Sequence, residues 1–186
     1  MRKLFLIFTL SIFGNLLFAQ MNSNQNNSKT TFRLYSEAFD NYGSIPEIYT
    51  CQSKNISPPL KWEGIPNGTK SLILIVEDPD APDPKSPKIT WIHWILYNIP
   101  PTLKSLEENI QSSKLPKGVL EGLNSWNKTG YGGPCPPIGK HRYFFRLYAL
   151  NSILPNLHNP TKSELMEIAK DKIIGETFLV GLYQKH

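Results

Sequence analysis

Residues 71–82 read SLILIVEDPDAP. The first part is a short, continuous apolar run rich in β-branched residues, the pattern of a strand buried on both faces. The second part sets Asp78 and Asp80 on a turn stiffened by Pro79 and Pro82. Proline fixes its own φ and restricts the residue before it, so these two carboxylates are held in place at the end of a buried strand. Taken alone, such a turn reads as two solvated acids. The spacing of a calcium-binding helix–loop–helix is absent.

The same strand chemistry recurs outward from this run. TFRLYS (31–36) alternates Phe32 and Leu34 against Arg33 and Tyr35, and TWIHWILYNI (90–99) is aromatic and β-branched throughout. RYFFRLYAL (142–150) and TFLVGLYQ (177–184) repeat that character. Turns separate these runs at Ser57–Pro59, Pro66–Gly68, the proline-rich 79–87 and Pro100–Pro101. One helix is clearly signalled within NPTKSELMEIAKDKI (159–173), where Thr161 precedes Glu164 by three residues as in a capping box. SLEEN (105–109) is a weaker helical candidate. Strands do not alternate with helices, which excludes a doubly wound parallel sheet and predicts a mainly antiparallel β domain with one or two peripheral helices.

The chain has 186 residues, enough for one domain with a substantial core, and its 16 prolines are spread along it. Residues 1–19 have the pattern of a secretory signal peptide: Arg2 and Lys3, an apolar stretch from Leu4 to Phe18, and a small-residue cut site after Ala19. Residues 20–30 read as a polar leader without periodicity, and 31–186 as the folded domain. This arrangement predicts a periplasmic or secreted protein. The formal net charge of +5 falls to +3 without Arg2 and Lys3, and no basic block or basic–aromatic ladder is present, so nucleic acid is not the expected partner. The only two cysteines are Cys51 and Cys135. In an exported chain they read either as a disulfide or as two buried thiols, and spacing alone decides neither.

Two further constellations carry ionisable groups. In WIHW (91–94), strict strand alternation puts Trp91, His93 and Ile95 on one face and Ile92, Trp94 and Leu96 on the other. A histidine there must be hydrogen-bonded if buried. In GYGGPCPPIGKHRYFF (130–145), Gly130, Gly132 and Gly133 allow positive φ and close approach to the main chain. Pro134, Pro136 and Pro137 stiffen the loop, and His141 opens the next strand. No helix and no Lys-Ser/Thr follow, so this is not a phosphate-binding P-loop. Antiparallel neighbours place one strand's end beside another's start, so one rim of the sheet can gather Asp78, Asp80 and His141, with His93 below.

SPPLKW, DPDAP, WIHW and GYGGPCPPIGKHRYFF, in that order and followed by LVGLYQ, resemble the phosphatidylethanolamine-binding protein family, in its bacterial Raf-kinase-inhibitor-like branch. The resemblance spans about residues 32–184. It implies a large antiparallel sheet, a smaller second sheet and peripheral helices. It also implies a cavity for a small anion: phosphate, a phosphorylated head group or a carboxylate. The ligand-binding residues it implies are Asp78, Asp80, His93, Gly133, Pro134, His141 and Tyr143, and Ala81-Pro82 is implied to be cis. The segment between the Pro-Pro pair and His141 is only IGK here, and eukaryotic members have a different C-terminal segment, in which a helix helps shape the pocket.

The function expected on these grounds is a non-catalytic binding protein without a cofactor or metal, with inhibition of a protease or another enzyme through a protein partner as the alternative. Homodimerisation is expected from the same resemblance. No H-E-x-x-H helix is present, and Ser125 in GLNSWN is not in a nucleophile elbow. An anion beside Asp78 needs compensating charge, from protonated His93, protonated His141 or a proton shared with the carboxylate.

Overall fold

The computed structural model describes residues 31–186. The expected signal peptide and leader, residues 1–30, lie outside the described residues. Among the described residues, nine strands and one α-helix form three layers.

The central layer is a six-stranded sheet in the order β2-β9-β8-β4-β5-β7. Its strands are β2 (Gly43–Ser44), β4 (Ser71–Asp78), β5 (Trp91–Ile99), β7 (Leu120–Glu121), β8 (Lys140–Leu150) and β9 (Ile173–Gln184). All neighbours are antiparallel except β2 and β9, which run parallel at one edge. A three-stranded antiparallel sheet of β1 (Arg33–Tyr35), β3 (Leu60–Glu63) and β6 (Ser105–Leu106), in the order β1-β3-β6, covers one face. Helix α1 (Lys162–Ala169) covers part of the other.

β4 is buried at every position, which accounts for its unbroken apolar run. Leu72, Leu74 and Val76 face the small sheet and meet Trp62, Phe145 and Leu147. Ile73 and Ile75 face the opposite side with Ile95, Tyr97 and the helix residues Leu165 and Ala169. The helix begins as its sequence predicts, with Thr161 as N-cap in a reciprocal capping box with Glu164. It is anchored to the sheet by Glu77, which pairs with Lys162 and, at 2.7 Å, with Arg146.

Two expectations fail locally. SLEEN forms no helix: Ser105 and Leu106 pair with β3, because Leu106 finds a place in the core beside Leu60. The alternation in WIHW is broken by a β-bulge. Val76 pairs with Trp94 but Glu77 pairs with Ile92, so His93 is an extra residue in β5. Trp91, His93 and Trp94 therefore lie on the small-sheet side, while Ile92 and Ile95 pack with the helix layer.

Leu74 is fully buried between β5 and β8. Leu74→Ala is expected to cost about 3 kcal/mol through lost burial and the residual cavity. Urea unfolding checks this, with a lowered midpoint and an unchanged m-value.

Candidate functional site

The site grows from the β4–β8 pairing. One step beyond the Glu77–Phe144 pair, Asp78 stands across from Tyr143, with His141 two residues further along the same face. His141 Nδ1 and Asp78 Oδ2 are 2.7 Å apart, and both side chains are buried. His141 Nε2 lies 2.9 Å from the Ile138 carbonyl oxygen, so it donates there. Asp78 Oδ1 accepts from the Asp80 backbone N–H at 2.8 Å. Burial pushes the Asp78 carboxyl up from its ordinary pKa, and the His141 and Asp80 hydrogen bonds oppose that rise. The two groups hold a proton between them, as an ion pair or as a neutral acid and imidazole.

His93 is placed by its bulge and by Gly132. Its Nδ1 is 2.6 Å from the Gly132 carbonyl oxygen, and the Gly132 N–H donates to the His93 carbonyl at 3.0 Å. This two-way grip puts the ring proton on Nδ1 and leaves Nε2 as a lone pair in the neutral ring. Burial lowers the His93 pKa to about 4. Without a neighbouring negative charge, His93 is therefore neutral at pH 7.

A cavity of about 350 Å³ opens beside these groups. Four of the expected residues line it: Asp78, His93, His141 and Tyr143. Among the described residues lining it, none is Lys or Arg, and its walls are Ala81, Pro82, Ile89, Trp91, Trp126 and the Cys135–Pro137 segment. The Tyr143 hydroxyl is buried and has no hydrogen-bond partner among the described residues. Burial and the nearby Asp78 charge hold the phenol above its ordinary pKa, so it remains a proton donor.

The other three expected residues stand outside this lining. Asp80 is engaged by Arg142, which donates from its backbone N–H (2.9 Å), Nε (2.9 Å) and a terminal nitrogen (2.6 Å). The Arg142 hydrogen bonds hold the Asp80 carboxyl below the usual carboxylate range. Its work is to fix the turn that positions Asp78. Gly133 abuts the Tyr49–Thr50 main chain so closely that a Cβ would overlap it, and its N–H donates to Asn55 Oδ1 at 2.7 Å. The Pro134 carbonyl accepts from the Cys51 N–H at 3.1 Å. Ala81–Pro82 is cis, and Cys51 and Cys135 are joined in a disulfide.

Sequence reasoning missed Trp126. Its indole lies against Gly132, in the space a side chain there would occupy, and meets Trp91 edge-on at 5.3 Å and His93 at 5.3 Å. The only available signal was a tryptophan in a loop ahead of two glycines. Among the described residues, no group of three or more His, Cys, Asp or Glu side chains is placed to hold a metal ion.

A two-sheet β domain with a small cavity at the strand ends, built on a buried Asp–His pair, defines a binding fold of narrow class. Residues 35–184 match the family model described as phosphatidylethanolamine-binding protein. A UPF0098 protein of Methanothermobacter thermautotrophicus is 46% identical over 153 residues, covering 82% of this chain and 98% of that one. A UPF0098 protein of Chlamydia trachomatis is 42% identical over 153 residues, covering 82% and 99%. The crystal structure of CT736, a phosphatidylethanolamine-binding protein homologue from C. trachomatis, superposes with a TM-score of 0.76 at 42% identity, covering 84% of this chain and 99% of that one. E. coli YbcL, described as a member of the mammalian family, gives 0.75 at 28% identity, covering 83% and 99%. The chain belongs to the phosphatidylethanolamine-binding protein family.

The depressed Asp80 pKa makes a stability prediction. A carboxylate whose folded pKa lies below its unfolded value stabilises the fold above the unfolded pKa, and that contribution is lost as pH falls through the folded value. Asp80→Asn is therefore less stable than wild type at pH 7, and the gap closes below about pH 4, the unfolded carboxylate range. Urea midpoints of both proteins from pH 7 to pH 3 check this.

Proposed function

We propose that this protein is an exported, non-catalytic binding protein whose cavity takes a small anionic group: phosphate, a phosphorylated head group or a carboxylate. The observation that carries the reading is the orphaned Tyr143 hydroxyl. A buried donor without a partner is costly, and an anion oxygen in the cavity would satisfy it. Export rests on the N-terminal signal pattern alone.

Among the described residues lining the cavity there is no fixed cation, so the anion must bring its own compensation. Both His141 nitrogens are already engaged, by Asp78 and by Ile138. The remaining acceptor able to take a proton toward the cavity is His93 Nε2. An anion beside it favours the imidazolium and raises a pKa that is otherwise about 4. Binding is then linked to proton uptake, and affinity rises as pH falls. The residues facing this proton are Asp78, His141 and Tyr143, and the first two share a proton of their own.

A second reading, inhibition through a protein partner, is favoured by the rim. Ile89, Trp126 and Ile138 stand exposed around the mouth at 51%, 41% and 57%. A partner would insert an acidic side chain or a C-terminal carboxylate into the same cavity, so the two readings share one chemistry.

Calorimetric titration with inorganic phosphate tests the proposal. Affinity is expected to fall steadily from pH 5 to pH 8, with proton uptake visible as a dependence of the heat on the buffer's ionisation enthalpy. Tyr143→Phe is expected to weaken binding about tenfold, the worth of a hydrogen bond to a charged group. Equal affinity from pH 5 to pH 9, or an unaffected Tyr143→Phe, contradicts the proposal.

A further inference from the structure

A second cavity, also about 350 Å³, lies directly behind the first. Trp126 and Cys135 line both, so the indole and the Cys51–Cys135 bridge form the partition between them. The far side is more polar, with Asn55, Lys128 and Thr129 among its walls.

The partition is held unevenly. Residues 131–134 are well tied: the Tyr131 hydroxyl donates to the Tyr49 carbonyl at 2.9 Å, the Gly133 N–H donates to Asn55, and the Pro134 carbonyl accepts from Cys51. Among the described residues, no backbone–backbone hydrogen bond reaches residues 135–139. Pro136 and Pro137 have no N–H to give. This short wall hangs between the disulfide at one end and the Ile138 carbonyl, bonded to His141 Nε2, at the other. Cys51 and Cys135 are both exposed residues.

We propose that the Cys51–Cys135 bridge is a thiol-exchange site that controls the partition: reduction releases the 135–139 wall and opens the anion cavity into the one behind it. The reductant is a dithiol, either a small molecule or a protein with paired cysteines. Its thiolate attacks one sulfur of the bridge, and the other sulfur leaves as a thiolate and takes a proton. The reductant's second thiol then resolves the mixed disulfide. The protein ends with two thiols and the reductant with a disulfide, so two electrons and two protons have moved. An exposed disulfide is the kind open to such exchange. The consequence reaches the Asp78–His141 pair, because a freed Ile138 carbonyl no longer orients the His141 ring.

Hydrogen–deuterium exchange on the folded protein, with and without dithiothreitol, tests this without any ligand, so its result stands apart from the anion reading. Thiol counting first establishes that the bridge is reduced in the absence of denaturant. The hydrogen-bonded amides flanking the wall, Gly133 (to Asn55) and Arg142 (to Asp80), are expected to exchange at least tenfold faster after reduction, while peptides from β4 and the middle of β9 keep their protection. Reoxidation restores the slow exchange. The double variant C51S/C135S shows the fast pattern without reductant and ignores dithiothreitol. Three results overturn the proposal: a bridge that resists reduction in the folded protein, flanking amides whose exchange is unchanged once the thiols are free, or acceleration that is equal in β4, β9 and the flanking amides. The last would make the bridge a general staple.

Discussion

The hydrogen-bonded pair of Asp78 and His141, buried where β4 ends and β8 begins, is the constraint around which the site is arranged. A lone carboxylate in that position would be costly, and a lone imidazole equally so. Each is tolerable because the other is 2.7 Å away and because the remaining polar atoms are also used: the Asp80 N–H on one side and the Ile138 carbonyl on the other. The antiparallel register of the two central strands makes the pair, and the pair makes that end of the sheet polar. Adjacent acids of β4 thereby take different tasks. Glu77 faces the helix layer and ties Arg146 and Lys162 to the sheet, and Asp78 faces the cavity.

The loop opposite is shaped to meet this pair. Gly132 and Gly133 serve by close approach and not by positive φ, one under the Trp126 indole and the other against the Tyr49–Thr50 backbone. Through Gly132 the loop also sets the tautomer of His93. The cavity is thus a narrow polar floor beneath apolar walls. On the proposed function, such a floor would stabilise a negative charge only together with a proton, which a rim of lysines would not require.

Much of this was legible in the sequence, for identifiable reasons. The strands were readable because β4 is buried on both faces and β8 and β9 are long and β-rich. The helix was readable because its capping box is local. Asp78, His93 and His141 stood out because ionisable side chains in or at the ends of apolar strands need partners, whereas Tyr143 came only from the family resemblance. What was not legible depends on contacts between distant segments. The bulge at His93 exists only in the pairing with Val76 and Glu77, so strict alternation misassigned the face of Trp94 and Ile95. Asp80, Gly133 and Pro134 carry motif residues, but their roles are to hold Arg142, Asn55 and Cys51, which lie far away in the chain. Trp126 has no motif, and its importance comes from the missing side chain at Gly132.

In the proposed function this cavity binds an anion together with a proton on His93. Nitrogen-15 NMR of the histidine rings at pH 7, during titration with inorganic phosphate, tests it most directly. A neutral His93 ring protonated at Nδ1 is expected in the free protein, converting to the doubly protonated form as phosphate saturates the site. A His93 ring whose Nε2 shift stays that of an unprotonated nitrogen at saturating phosphate would contradict it.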